Sequence, residues 1–311
     1  MTPYAVETMT RRELRKCYNH YCWAVMLLFP VTLLCATLLI WIYTLTSPQL
    51  RSDPTWSVAI PSMINAVSAY LPTAVIFLLL LRRFPRPEKL PVDRLDLWEF
   101  LQAAVFTLGI CYLFNVMTIG LIELLQNRTG METFNRIDLH DTVSPIWEQV
   151  IFSIGVAPVC EELLFRRLLL DRLRSLGDVS AVYLSALAFS LFHGNLYQMF
   201  YTFVLGIFFA KLVLLTGSVR DTILLHMCIN GMTTLNYVFP EEWFFILRYV
   251  LYILCAALAV VMYAKKRRHF HLEPGPLSFS PRDKRRACLG SVWFYLMLAS
   301  CVYSSIVVIF R

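Results

Sequence analysis

The chain has 311 residues, 58% hydrophobic and only 16% charged, with a net charge of +7 and a mean hydropathy of +0.60. Soluble globular chains average about 25% charged residues, so this composition excludes a soluble fold and points to a polytopic membrane protein. The basic residues are dispersed between apolar runs, which excludes a nucleic-acid footprint, and the nine cysteines show no CxxC or metal-type spacing and read as small hydrophobes.

In chain order, a basic N-terminus (Arg11, Arg12, Arg15, Lys16) precedes an apolar run over 20–45. That run exceeds the ~7–15 residues of a signal-peptide core and reads as a retained first helix. Further runs of membrane length follow at about 56–81, 97–125, 145–165, 179–194, 196–216, 222–239, 244–264 and 291–310. The expected fold is all-α: a polytopic transmembrane helical bundle of about eight or nine spans. Most lysines and arginines fall before the first run and in 82–96, 166–178, 220 and 265–288, whereas the alternate segments hold only Arg51, Arg128, Arg136 and Arg311. By the positive-inside rule the N-terminus is cytoplasmic. The compact loops and the lack of an ER-type retention signal favour a bacterial plasma membrane. Asn127-Arg128-Thr129, in the longest outer segment, is a glycosylation sequon by pattern. Lys265-Lys266-Arg267-Arg268, with Arg282, Lys284, Arg285 and Arg286, reads as a topology anchor beside membrane lipid. The stretch Arg166–Leu176 combines four arginines with leucines at helical spacing, so an amphipathic elbow in the cytoplasmic interface is expected after the fourth span.

Three polar clusters stand where apolar side chains belong. Ionisable groups at membrane depth cost ~2.5–3.5 kcal/mol each on insertion scales and mark function. Glu161 and Glu162 close the run 151–160, with Pro158 just upstream to loosen the backbone and free carbonyls. Glu162 and Arg166 stand at i and i+4 and can pair. Glu161 points about 100° away and is left to act as a general base. Phe189 and His193 share a helical face, and Gly194-Asn195 ends that helix. His226 and Asn230 are again at i and i+4, presenting an imidazole and a carboxamide to one volume. A carboxamide can donate to a developing oxyanion. Singly, each cluster also fits a helix-end ion pair, a packing histidine or an interhelical hydrogen bond. Together they supply complementary roles for activating water.

At these residues the chain resembles the CAAX-protease and bacteriocin-processing family of intramembrane endopeptidases. Its EExxxR, FxxxH and HxxxN motifs occur in order as Glu161-Glu162 with Arg166, Phe189 with His193, and His226 with Asn230. Gly206 and Thr216-Gly217-Ser218 extend the likeness, which covers about 145–236. The resemblance implies a membrane protease that cuts membrane-associated protein or peptide substrates. It implies that Glu161 and His193 activate water while His226 and Asn230 stabilise the oxyanion, with Glu162, Arg166 and Phe189 in support. The family's other description, as metalloproteases, leaves zinc open as a cofactor, with Glu161, His193 and His226 as ligands. The chain has no HExxH, the commoner zinc-protease signature, and glutamate-activated water without an obligatory metal is the preferred reading. The expected organisation is transmembrane helices over 1–144, a CAAX-protease-like catalytic core over 145–239, and transmembrane helices with a basic cytoplasmic loop over 240–311.

Span counting leaves one conflict. Glu161 falls near the cytoplasmic end of the fourth span, while His193 falls ~22 Å of helix beyond the cytoplasmic end of the fifth. The two meet only if a helix is tilted, starts deep or is broken, or if the fifth and sixth runs form a re-entrant pair around a water-filled, cytoplasm-facing funnel. A transporter or proton relay would use the same buried Glu and His residues without cleaving anything. An idle scaffold would keep them for packing.

Overall fold

The computed structural model describes residues 9–84, 87–130, 145–239, 241–266 and 279–307. The middle of the basic loop (267–278) and most of the outer loop (131–144) lie outside the described residues. Among the described residues all regular structure is helical: α1 (Arg11–Thr46), α2 (Trp56–Leu80), α3 (Leu97–Thr129), α4 (146–176), α5 (Asp178–Phe192), α6 (Leu196–Thr216), α7 (Val219–Val238), α8 (Glu242–Lys266), α9 (Pro281–Leu289) and α10 (Val292–Val307). Local chemistry sets several ends. Thr10 with Glu13, and Asp96 with Glu99, close reciprocal capping boxes at the starts of α1 and α3. The sequon residues form the last turn of α3 rather than a loop.

Among the described residues five helices are long and apolar enough to cross a membrane (α1, α2, α3, α6 and α8), and α9–α10, bent by 61°, make a sixth if taken as one span. The eight or nine spans read from the sequence reduce to five or six by length and composition. The stretches that drop out carry the polar clusters. At 15 residues, α5 reaches about 22 Å against a hydrocarbon core of ~30 Å. The helix α7 carries Asp221, His226 and Asn230, and α4 carries Glu148, Glu161, Glu162 and Arg166.

The expected elbow is absent. Residues 146–176 stay helical throughout, with Leu169, Leu170, Leu173 and Leu176 buried and Arg166 sealed inside. The leucine stripe faces protein because α5 folds back along it after Gly177. That hairpin resolves the conflict over Glu161 and His193. The two residues are equally far along the chain from Gly177, one up α4 and the other up α5, so they come level.

The helices α5 and α6 form a tight hairpin. Arg174, at the foot of α4 beside the start of α5, donates from Nη1 to the Glu88 carbonyl at 3.0 Å. At the end of α6, the Thr216 carbonyl accepts from Asp93 N–H at 2.7 Å. Both feet of the pair therefore rest on the same segment, 87–96. Asp221, opening α7, also reaches this segment, accepting from Leu95 N–H at 3.5 Å. At the tip, Gly194 adopts φ +55°, a left-handed conformation that suits glycine. Midway down, Gly206 lets the two helices touch, since a Cβ there would lie 2.9 Å from Ala186 Cα. Arg11 pairs with Asp283 at 3.3 Å and Arg15 donates to the Gly290 carbonyl, joining the N-terminus to α9. Each contact joins segments that the charge distribution assigns to the basic side.

Candidate active site

Glu161 and Glu162 sit midway along α4 between two stretches of wide, π-type turns, Gln149–Val156 and Leu163–Leu170. Such widening recurs at functional sites, and here Pro158 gives it a consequence. Ala157 N–H bonds the Phe152 carbonyl, five residues back. The next donor in that register would be residue 158, and proline has none. The Ser153 carbonyl is left for another partner, and Asn230 Nδ2 donates to it at 2.8 Å. One proline thus ties α7 to α4 beside the carboxylates.

Glu162 is fully buried. Its Oε2 lies 3.3 Å from Arg166 Nε, and its Oε1 lies 3.2 Å from His226 Nδ1. The Arg166 contact is an ion pair without hydrogen-bond alignment, backed by aromatic faces. The guanidinium carbon stands 4.5 Å from the Phe189 ring centre and 5.9 Å from that of Phe209, a favourable cation–π arrangement in a dry setting. Phe189 also sets its edge or face against His193 and His226, with centroids 4.9 and 5.9 Å apart. The FxxxH phenylalanine therefore packs all three polar residues around one ring.

Glu161 faces elsewhere. Its Oε1 accepts from the Tyr70 hydroxyl at 3.1 Å. Its Oε2 is buried with no hydrogen-bond partner in the protein, 3.9 Å from His193 Nε2 and 3.9 Å from His226 Nε2. His193 Nδ1 lies 2.8 Å from the Phe189 carbonyl. A carbonyl only accepts, so Nδ1 carries a proton and Nε2 of the neutral ring turns a lone pair toward Glu161. His226 likewise directs Nδ1 at the Glu162 carboxylate and Nε2 at Glu161.

These groups border a cavity of about 390 Å³ lined by Glu161, His193, His226 and Asn230, with Asn195, Gln198 and Tyr201 opposite. From Glu161 its walls run up α4 to Ala157 and Ser153, and from His226 up α7 to Thr233. Both directions lead away from the basic-loop side, where α4 and α7 have their other ends. On the basic-loop side of the carboxylates the described residues of α4 are packed with buried leucines, Leu169, Leu170, Leu173 and Leu176. A second cavity, about 240 Å³, touches Glu161 and His193 from the α1 side between Phe29 and Ala69.

Neighbouring ligands on a tetrahedral zinc, each ~2.0–2.2 Å from the metal, stand about 3.4 Å apart. The Glu161–histidine separations are wider, at 3.9 Å. Among the described residues no group of three or more His, Cys, Asp or Glu side chains is arranged to hold a metal ion. These residues as placed do not fit a zinc centre.

Of the seven residues read from the three motifs, Glu161, Phe189, His193, His226 and Asn230 line the cavity, and Glu162 and Arg166 are buried behind them. Tyr70, the Ser153 carbonyl, Gln198 and Tyr201 escaped the sequence reading. Asn195, Gln198 and Tyr201 recur at i, i+3 and i+6 in an apolar run and form a chain: Asn195 Nδ2 donates to Gln198 Oε1 at 3.4 Å and Gln198 Nε2 to Tyr201 Oη at 3.1 Å. That spacing was a usable signal. Tyr70 had none, being one tyrosine in an apolar helix.

The family model described as type II CAAX prenyl endopeptidase Rce1-like matches residues 143–232. This segment is a CAAX-protease-family domain. It contains α4 to α6, most of α7, and every residue of the three motifs. The matched segment is similar to a family of membrane-embedded proteases, and the chain's apolar helices are those of an integral membrane protein. No curated protein and no solved structure matches the chain.

Proposed function

We propose that the chain is an intramembrane endopeptidase that hydrolyses peptide bonds of membrane-associated protein or peptide substrates with water activated by Glu161 and His193. The observation that carries this reading is the free, buried Glu161 Oε2 facing His193 Nε2 across 3.9 Å at the wall of a polar cavity. Two acceptors at that spacing are bridged by one water through hydrogen bonds of about 2.8 Å, leaving the water oxygen directed into the cavity. As it attacks the scissile carbonyl carbon, its proton passes to Glu161 Oε2 and then to the leaving amine nitrogen when the C–N bond breaks. Water is the only co-reactant, and the products are a carboxyl and an amine terminus. The oxyanion is met by the Asn230 amide proton not given to Ser153, with the His226 ring, held by Glu162, beside it. Glu162, Arg166 and Phe189 hold these groups without touching substrate.

The basic-loop side is cytoplasmic on this reading, with the N-terminus inside a bacterial plasma membrane, as the charge distribution supports. The cavity then lies toward the opposite leaflet, and substrates reach it from there. Cysteines placed singly at Arg12 and Thr233 test the sidedness: an impermeant maleimide added outside intact cells is expected to label only the second.

Activity is tested with purified full chain in liposomes and a library of lipid-anchored peptides. Glu161→Gln and His193→Ala are expected to stop cleavage. Both variants cleaving like wild type overturns the assignment, and solute flux without cleavage favours a transporter instead.

A further inference from the structure

We infer that Tyr70, on α2 and outside the Rce1-like segment, is a positioning residue that selects which oxygen of Glu161 works. The inference rests on the peptidase reading and deepens it. A carboxylate offers two nearly equivalent oxygens, and in this site they are made unequal. The Tyr70 hydroxyl donates to Oε1 at 3.1 Å, while Oε2 has no protein partner and faces both Nε2 atoms. The residues of the motifs do not supply that asymmetry, since Arg166 is spent on Glu162 and both histidines address Oε2.

The tyrosine is itself fixed. Its ring packs on Phe192, with centroids 6.2 Å apart, one residue before His193. It also lines a cavity of about 280 Å³ between α2 and α4, together with Asn65, Glu148 and Gln149. One ring thus touches the element that carries His193, and its hydroxyl touches the carboxylate. Rotation of the Glu161 carboxyl would break the Tyr70 bond, so Oε2 stays aimed at His193 through the proton transfer. A site held within about 0.5 Å and 10–20° of productive geometry depends on such supporting bonds.

Tyr70→Phe deletes the hydroxyl and keeps the ring. With the best-cleaved lipid-anchored peptide and full chain in liposomes, kcat is expected to fall about tenfold, equal to ~1.4 kcal/mol of transition-state stabilisation, with KM unchanged and the unfolding temperature within a degree or so of wild type. Tyr18→Phe, which removes a hydroxyl contact to Ser180 of 3.3 Å away from the site, is expected to leave kcat unaltered. Wild-type kcat in Tyr70→Phe, beside an inactive Glu161→Gln, overturns the role of Tyr70 and spares the peptidase reading. A loss that comes with raised KM or a lowered unfolding temperature marks a packing role and also overturns it. Cleavage by Glu161→Gln at the wild-type rate overturns the peptidase reading and this inference with it.

Discussion

Glu161 and Glu162 are neighbours in sequence and opposites in surroundings. On one side of α4, Glu162 meets Arg166 and His226 Nδ1, themselves packed on the Phe189 and Phe209 rings, so its charge is matched inside the protein. On the other side, Glu161 has one oxygen held by Tyr70 and one left bare beside a cavity. A buried charge without its partner is costly, and breaking such a pair costs ~3–5 kcal/mol. The contrast teaches that the EExxxR motif combines two devices: an ion pair that locks α4, α5 and α7 together, and a carboxylate kept out of that pair for chemistry.

Four measurements break or sharpen this contrast. The largest effect is expected at Glu161→Gln, with kcat down by ~10²–10⁴-fold, the usual worth of a general base, and the unfolding temperature preserved. A stability loss there instead would make the two carboxylates alike. Next comes Glu162→Gln, which strands Arg166 in an apolar shell. Chemical denaturation in detergent should show a loss of ~3–5 kcal/mol, and kcat should fall less than in Glu161→Gln, because His226 Nδ1 loses the carboxylate that holds it. Asn230→Ala is expected to lower kcat by ~10²-fold, within the range for an oxyanion donor, and to loosen α7 from the Ser153 carbonyl, readable as faster amide exchange around 150–156. Smallest is chelation: incubation with EDTA is expected to leave cleavage unchanged, and a loss restored by zinc would show that the donors close to metal distance during turnover.

Much of this site was legible in the residues. Spacing alone paired Glu162 with Arg166, set Phe189 under His193, and put His226 and Asn230 on one face, because i, i+4 neighbours share a helical face whatever the helix packs against. Pro158 announced a freed carbonyl. Span counting gave eight or nine runs, of which five or six qualify as membrane-crossing helices by length and composition among the described residues. Hydropathy measures the cost of meeting lipid, and the runs that do not qualify, α4, α5 and α7, carry polar groups that they bury against one another.

By itself, then, the sequence determined that the chain is all-helical and belongs in a membrane, which side of it is basic, and which side chains share each helical face. These follow from short-range geometry and from the price of putting polar groups in hydrocarbon. Tertiary structure decided the rest. The Gly177 turn brought Glu161 level with His193, α5 and α6 turned back at Gly194, the cavity extended away from the basic loops, and Tyr70 arrived from a distant helix to hold Glu161. Each depends on contacts between residues far apart in the chain, and no local pattern encodes where such residues meet.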